Sequence, residues 1–245
     1  MRIGGTPRRG RRSAMHSAVA AMTIAVAAAT TLSGCATTVL TGVAVGPGES
    51  AQTDPSEPGP DPGALVRAVL NGGGFPTGYQ TTVLDEQEAV LAAEDLSAIP
   101  RAGRVNPVRC QAGAFPAEAV DFAMASGTEP DSRQILALEA ERGGPSVDET
   151  IETVQDCGEV TVVESGVATR LLRSSPDTAQ VGGYQAVTYT QQVVDEDGTV
   201  LRAMTIARAR RGDVTVTVTG MDQQGGRIDT GTVTGLLGEA LTAEP

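Results

Sequence analysis

The chain has 245 residues, 18 basic and 30 acidic side chains, and a formal net charge of −12. A body this acidic repels nucleic-acid phosphate and anionic lipid headgroups. Three Phe, three Tyr and no Trp leave no aromatic platform on which bases or sugar rings would stack.

The chain opens with Arg8, Arg9, Arg11 and Arg12, and Ala14–Leu32 follows as an alanine-rich apolar segment free of Asp, Glu, Lys and Arg. This is the layout of an export leader. Leu32-Ser33-Gly34-Cys35 closes it and resembles a bacterial lipobox. That resemblance implies diacylglycerol on the Cys35 thiol, cleavage between Gly34 and Cys35, and acylation of the new amine. A retained membrane anchor of this length is the alternative, but the small payload of alanine and threonine and the small residues before Cys35 favour cleavage. Arg11-Arg12 lacks the flanks of a twin-arginine signal. Loss of residues 1–34 leaves 13 basic against 30 acidic groups, a net −17. Attachment to a membrane must then come from the acyl chains, of which stable anchoring needs two or more.

With Cys35 claimed by lipid, Cys110 and Cys157 remain in an exported domain, where thiols oxidise. A disulfide between them is the simple inference. It closes a loop of about 48 residues, for which chain entropy gives at most about 4 kcal/mol. Metal binding needs more ligands than this pair, and the lone histidine, His16, leaves with the leader.

Residues 35–63 read as a lipidated tether, rich in Pro, Gly and acids, that cannot bury enough apolar area to offset ordering. Residues 64–245 read as one domain. Asp61-Pro62 introduces a first helix over Ala64–Leu70, ended by Asn71-Gly72-Gly73-Gly74. Phe75–Tyr79 then leads into a first strand through about Leu84. Glu86–Leu96 is a weak helix with Val90, Leu91 and Ala93 inward, and Ile99–Gly103 is a turn. Pro107–Cys110 starts a helical or irregular stretch. Ala117–Met124 is assigned to a short helix broken by Ser126–Pro130, and Gln134–Glu141 is ambiguous between strand and helix, its short length favouring a strand.

Ser146–Cys157 carries the strongest helix signal. Ser146 and Glu149 make a capping box, and Val147, Ile151 and Val154 recur on one face. Strands dominate from there: Val160–Val163, Ala168–Arg173, then Tyr184–Val194 and Thr199–Arg208 around Asp195-Glu196-Asp197-Gly198. In Val214–Thr219 three valines occupy one face and three threonines the other. Thr232–Thr242 makes a terminal helix through Val233, Leu236, Leu237 and Leu241. The expected class is α+β, a twisted and mainly antiparallel sheet packed with a few helices and carrying one disulfide.

Catalytic chemistry is poorly supplied. Without His16 there is no Ser/His/Asp or Cys/His arrangement, and the pairs Asp85/Glu86, Glu94/Asp95 and Asp195/Asp197 read as solvated acids. Asp195–Gly198 lacks the spacing of a calcium loop. Gly72–Gly74 lacks the lysine of a phosphate cradle. Arg211-Gly212-Asp213 matches the adhesion tripeptide but reads as a hairpin turn. No enzyme, cofactor, metal or nucleic-acid partner is expected.

Arg208, Arg210 and Arg211 are the dense basic cluster of the mature chain. They read as a solvated hairpin end or as a site for an anionic envelope component. Phe75, Tyr79 and Tyr184 follow glycines or precede strands, as core rings or as pocket lining. With the three arginines they form the candidate ligand-site residues.

Phe75-Pro76-Thr77-Gly78-Tyr79, Pro107-Val108-Arg109-Cys110 and Gly183-Tyr184 resemble motifs of the secreted or lipid-anchored sensor-like domains of mycobacteria and related actinobacteria. That group includes extracellular sensors of serine/threonine kinases. The absence of lysine and the abundance of Ala, Gly, Thr and Val suit such a high-GC source. The resemblance spans Ala64 to Pro245, and it implies a non-catalytic binding or sensor-like domain on the outer face of the cell membrane. It departs from kinase-linked relatives, which carry two disulfides and a kinase domain. The expected function is lipid-anchored capture of an envelope small molecule, wall component or protein. A structural or protein-interaction lipoprotein without a pocket, and an envelope lipid carrier, are the alternatives.

Overall fold

In the described residues every strand pairing is antiparallel, and ten strands join one sheet. The computed structural model describes residues 58–100, 103–111, 121–223 and 226–245. The expected leader, Cys35 and the expected tether as far as residue 57 lie outside the described residues, as do 112–120. In chain order the elements are α1 (Pro62–Asn71), β1 (Gln80–Val83), α2 (Glu86–Ser97), β2 (Arg104–Asn106) and a single 3-10 turn (Val108–Cys110). Then come β3 (Phe122–Glu129), β4 (Gln134–Arg142), α3 (Val147–Asp156), β5 (Glu159–Glu164), β6 (Val167–Arg173) and β7 (Asp177–Val181). β8 (Tyr184–Val194), β9 (Val200–Arg211), β10 (Val214–Asp222) and α4 (Thr230–Thr242) complete the domain. The strand order is β1-β3-β4-β10-β9-β8-β6-β5-β2, with β7 also on β8. This is the α+β class expected.

One face of the sheet is an apolar core. Alternation along β4 and β10 sends Leu136, Leu138, Val214, Val216 and Val218 to this side, where α1 and α4 cover them with Leu65, Val66, Val69, Val233, Leu236 and Leu237. Both helices start on an aspartate. Asp61 accepts a hydrogen bond from the Ala64 amide at 2.6 Å with Pro62 at the first helical position, and Asp229 accepts from the Thr232 amide at 3.0 Å. No helix among the described residues is long and apolar enough to cross a membrane.

The opposite face is covered by α2 over β3 and by α3 over β8 and β9. In α3 the Ser146–Glu149 capping box forms as its sequence predicts. α2 is the better-defined helix than its sequence suggested, because Asp85 and Glu88 form a second capping box. Its inward residues are Ala89 and Ala93. Val90 lies at the margin and Leu91 is exposed, because the small alanines let the helix sit close on Met124 and Ala137.

Two other expectations are corrected. The stretch assigned to a helix up to Met124 contains the start of β3, and its supposed breaker Ser126–Glu129 is the rest of that strand. Eight consecutive pairs with β4, Phe122↔Glu141 to Glu129↔Gln134, outweigh local propensity. The glycine there serves packing: a Cβ on Gly127 would stand 2.6 Å from the Phe75 ring. β2 and β7, short and exposed at most positions, had no alternation to reveal them.

Candidate functional site

β10 is buried on both faces, although three of its residues are threonine: Thr215, Thr217 and Thr219 are 2%, 5% and 4% exposed. They point away from the apolar core, and the register sets charged residues beside them. Thr217 lies opposite Glu139 on β4 and Arg208 on β9, so the row Met124–Glu139–Thr217–Arg208–Val187 crosses five strands. Thr215 lies between Glu141 and Arg210. Farther along, Tyr189 pairs with Ile206, and Arg173 of β6 pairs with Gln191 of β8.

Above this polar floor, α2 contributes Leu96 and Ser97, α3 contributes Thr150 and Thr153, and the 3-10 turn contributes Arg109 and Cys110. Between floor and roof is a cavity of about 410 Å³, within the range of small-molecule sites. The Cys110–Cys157 disulfide, with its Cα atoms 5.7 Å apart, ties the turn to the end of α3. The bond whose loop closure stabilises the chain thus also ties one part of the cavity wall to the end of α3.

Polar ties join floor and roof. Gln191, 2% exposed, donates to the Leu96 and Ser97 carbonyls at 3.4 Å each. Arg208 Nε donates to Thr217 Oγ1 at 2.9 Å, and Nη1 donates to Thr150 Oγ1 at 3.3 Å. Arg173 Nε donates to Gln191 Oε1 at 2.9 Å, and Nη1 donates to the Cys157 carbonyl at 3.1 Å. Among the described residues, neither guanidinium forms an ion pair with a carboxylate.

Glu139 is half-buried on β4 and lines the cavity. Burial pushes its carboxyl up from 4.5 to about 7, Arg208 pulls it back, and the charge of Glu141 pushes it further up. Burial also raises Glu141, again opposed by Arg208. Burial pulls the Arg173 guanidinium down, Tyr189 opposes this, and Arg208 adds to it. Carboxyl groups, guanidiniums, a phenol and hydroxyls therefore converge on one chamber. No group of three His, Cys, Asp or Glu placed to hold a metal occurs among the described residues.

The candidate ligand-site residues do not gather here. Phe75 is buried in the apolar core, 8% exposed. Tyr79 packs beside it and donates from its hydroxyl to Gln134 Oε1 at 3.1 Å, with its phenol raised first by burial. Tyr184 and Arg211 border a separate groove with Pro58–Pro60 and Pro245. Arg211 there donates to the Ala243 carbonyl at 2.7 Å. Arg210 donates to the Gly212 carbonyl at 2.9 Å, and Arg208 alone borders the cavity. Arg211 leaves the cluster because neighbours along a strand point to opposite faces, while Arg210, on the same face as Arg208, turns to the hairpin end at Gly212.

No protein-family model matches the chain, and no curated protein matches it. Solved structures do. An uncharacterized protein from Mycobacterium smegmatis is 14% identical, with a TM-score of 0.46 over 74% of this chain and 96% of that one. The extracellular domain of PknH from Mycobacterium tuberculosis is 13% identical, with a TM-score of 0.42 over 76% and 96%. Cyanobacterial PsbP from Synechocystis is 10% identical, with a TM-score of 0.32 over 60% and 81%. Two of these neighbours are mycobacterial and one is an extracellular domain. Likeness at this level says nothing of a ligand or an activity.

Sequence reasoning missed Glu139, Glu141, Arg173, Tyr189, Gln191 and the buried threonines. A signal was present. Glu139 and Glu141 interrupt an apolar strand at one parity, and Arg208 interrupts Ile206–Ala209, while Thr215–Thr219 repeat the pattern. A polar stripe on strands too central to be solvated indicates a polar chamber under a roof.

Proposed function

We propose that the chain is a lipid-anchored, extracytoplasmic binding domain of sensor-like type, and that its ligand site is the cavity between the β4-β10-β9-β8 floor and the α2/α3 roof. The leader and Leu32–Cys35 support the anchor. One observation carries the ligand site: a small-molecule-sized chamber whose wall holds Glu139, Glu141, Arg173 and Arg208 at the centre of the sheet. Burying such groups is costly unless they are used. The domain would capture its ligand at the membrane's outer face, with Cys35 fixing position and the acidic tether giving reach.

The charged wall disfavours the lipid-carrier reading, since an acyl chain would have to desolvate carboxyl and guanidinium groups without pairing them. It equally disfavours a purely structural protein, which has no need for a chamber here.

The test is untargeted mass analysis of small molecules that co-purify with the full chain gently extracted from its own envelope. A parallel sample carries Thr153→Trp, which fills the chamber from the roof. A compound retained by the native chain and absent from the folded variant supports the reading; identical profiles contradict it. Intact mass of the same sample checks the anchor, which requires an amino terminus at Cys35 bearing acyl chains.

A further inference from the structure

The chamber's wall carries both signs of charge, so the sign of its ligand is not obvious from its lining. The count of groups decides it: Arg109, Arg173 and Arg208 line the cavity against Glu139 and Glu141. Arginine stays cationic at any physiological pH, whatever its surroundings. The two carboxyl groups are both pushed toward their neutral forms, Glu139 to about 7. With three guanidiniums to two carboxyls the wall is net positive inside a protein of formal net charge −12, and the raised carboxyls make it more so.

The guanidiniums also have capacity to spare. Each has five N–H donors, and Arg173 and Arg208 each spend two of them on neutral acceptors. These same bonds hold both planes in place from floor and roof, which lowers the cost of ordering them on binding. Tyr189 adds a phenolic donor close enough to influence Arg173. Bidentate pairing with a planar or tetrahedral oxyanion is the contact that such an arrangement serves best.

We propose that the cavity grips its ligand by a compact oxyanion, a carboxylate or phosphate group, seated on Arg173 and Arg208. This rests on the cavity being the ligand site. The remainder of the ligand meets Thr217, Thr219 and Glu139, groups suited to hydroxyls or amides. The titratable groups around Glu139 are Glu141 on its own strand, Arg208 on β9, Arg173 on β6, Tyr189 on β8 and Arg109 on the 3-10 turn. From β10, α2 and α3 the wall receives hydroxyl and apolar groups only. An anion bound beside Arg208 disfavours ionised Glu139, so affinity falls as pH rises through about 7.

The experiment is a titration of the folded full-length protein, followed by NMR of the arginine Nε–Hε signals. The probes are inorganic phosphate, acetate and tetramethylammonium, each used below and above neutral pH. Saturable shifts of Arg173 and Arg208 with phosphate or acetate, stronger below neutrality, are expected, with the exposed Arg67 unmoved. The stronger of the two anions identifies the oxyanion. Arg173→Gln weakens binding about tenfold or more, and Arg173→Lys restores part of it. Arg67 shifting as much as the cavity arginines overturns the proposal. A response to tetramethylammonium alone also overturns it, while leaving the cavity as the ligand site. Silence of every cavity signal to all three probes removes both readings, and that result needs no variant to fold.

Discussion

Replacing Glu139 by glutamine tests the electrostatics of the chamber without disturbing its shape. In the folded protein this carboxyl titrates at about 7 rather than 4.5, chiefly because burial disfavours its charge. Between those values the folded state keeps a proton that the unfolded chain has released, so stability falls as pH rises through the window. A shift of this size corresponds to about 3 kcal/mol, fully absent below the unfolded value and fully imposed above the folded one. Glu139→Gln stays neutral throughout. Its stability, measured by urea unfolding, is expected to match the native protein near pH 4 and to exceed it by about 3 kcal/mol near pH 8. Native and variant curves running parallel across this range would refute the reasoning, as would a carboxyl midpoint near 4.5 by NMR.

Three further outcomes follow from packing and covalent structure. Changing Cys110 and Cys157 together to serine should lower stability by up to about 4 kcal/mol, and amide exchange should quicken first in α3 and the 3-10 turn. Gly127→Ala places a methyl 2.6 Å from the Phe75 ring, which thermal unfolding should register as a loss of about 1–3 kcal/mol. Leu138→Ala empties a fully buried position between α1 and the sheet, with an expected loss of about 2–5 kcal/mol in urea unfolding.

The antiparallel α+β plan was legible because most of its parts announce themselves locally. The Ser146–Glu149 box, the Asp-Gly turn at Asp197-Gly198 and the valine alternation of β10 each depend on near neighbours. The Cys110–Cys157 bond followed from compartment and count. The missing parts depend on partners distant in sequence. β3 is a strand because β4 pairs it, and α2 buries Ala89 and Ala93 because Met124 lies beneath. The chamber is the extreme case: it draws Glu139, Arg173, Tyr189, Gln191 and Arg208 from four strands and closes them under two helices. Residues that looked functional because they were conspicuous in the chain, such as Phe75 and the run Arg208–Arg211, were conspicuous for packing and turn geometry. Only Arg208 among them reaches the cavity.

Amide hydrogen exchange on the gently extracted full chain, before and after its co-purifying small molecule is dialysed away, tests the ligand site most directly. If the cavity is that site, removal should deprotect Val147–Asp156 and Val108–Cys110 in the roof and Arg208 and Thr217 in the floor, leaving Tyr184 and the groove beside Pro58–Pro60 unchanged. Exchange that changes at the groove and not at the roof would contradict the account.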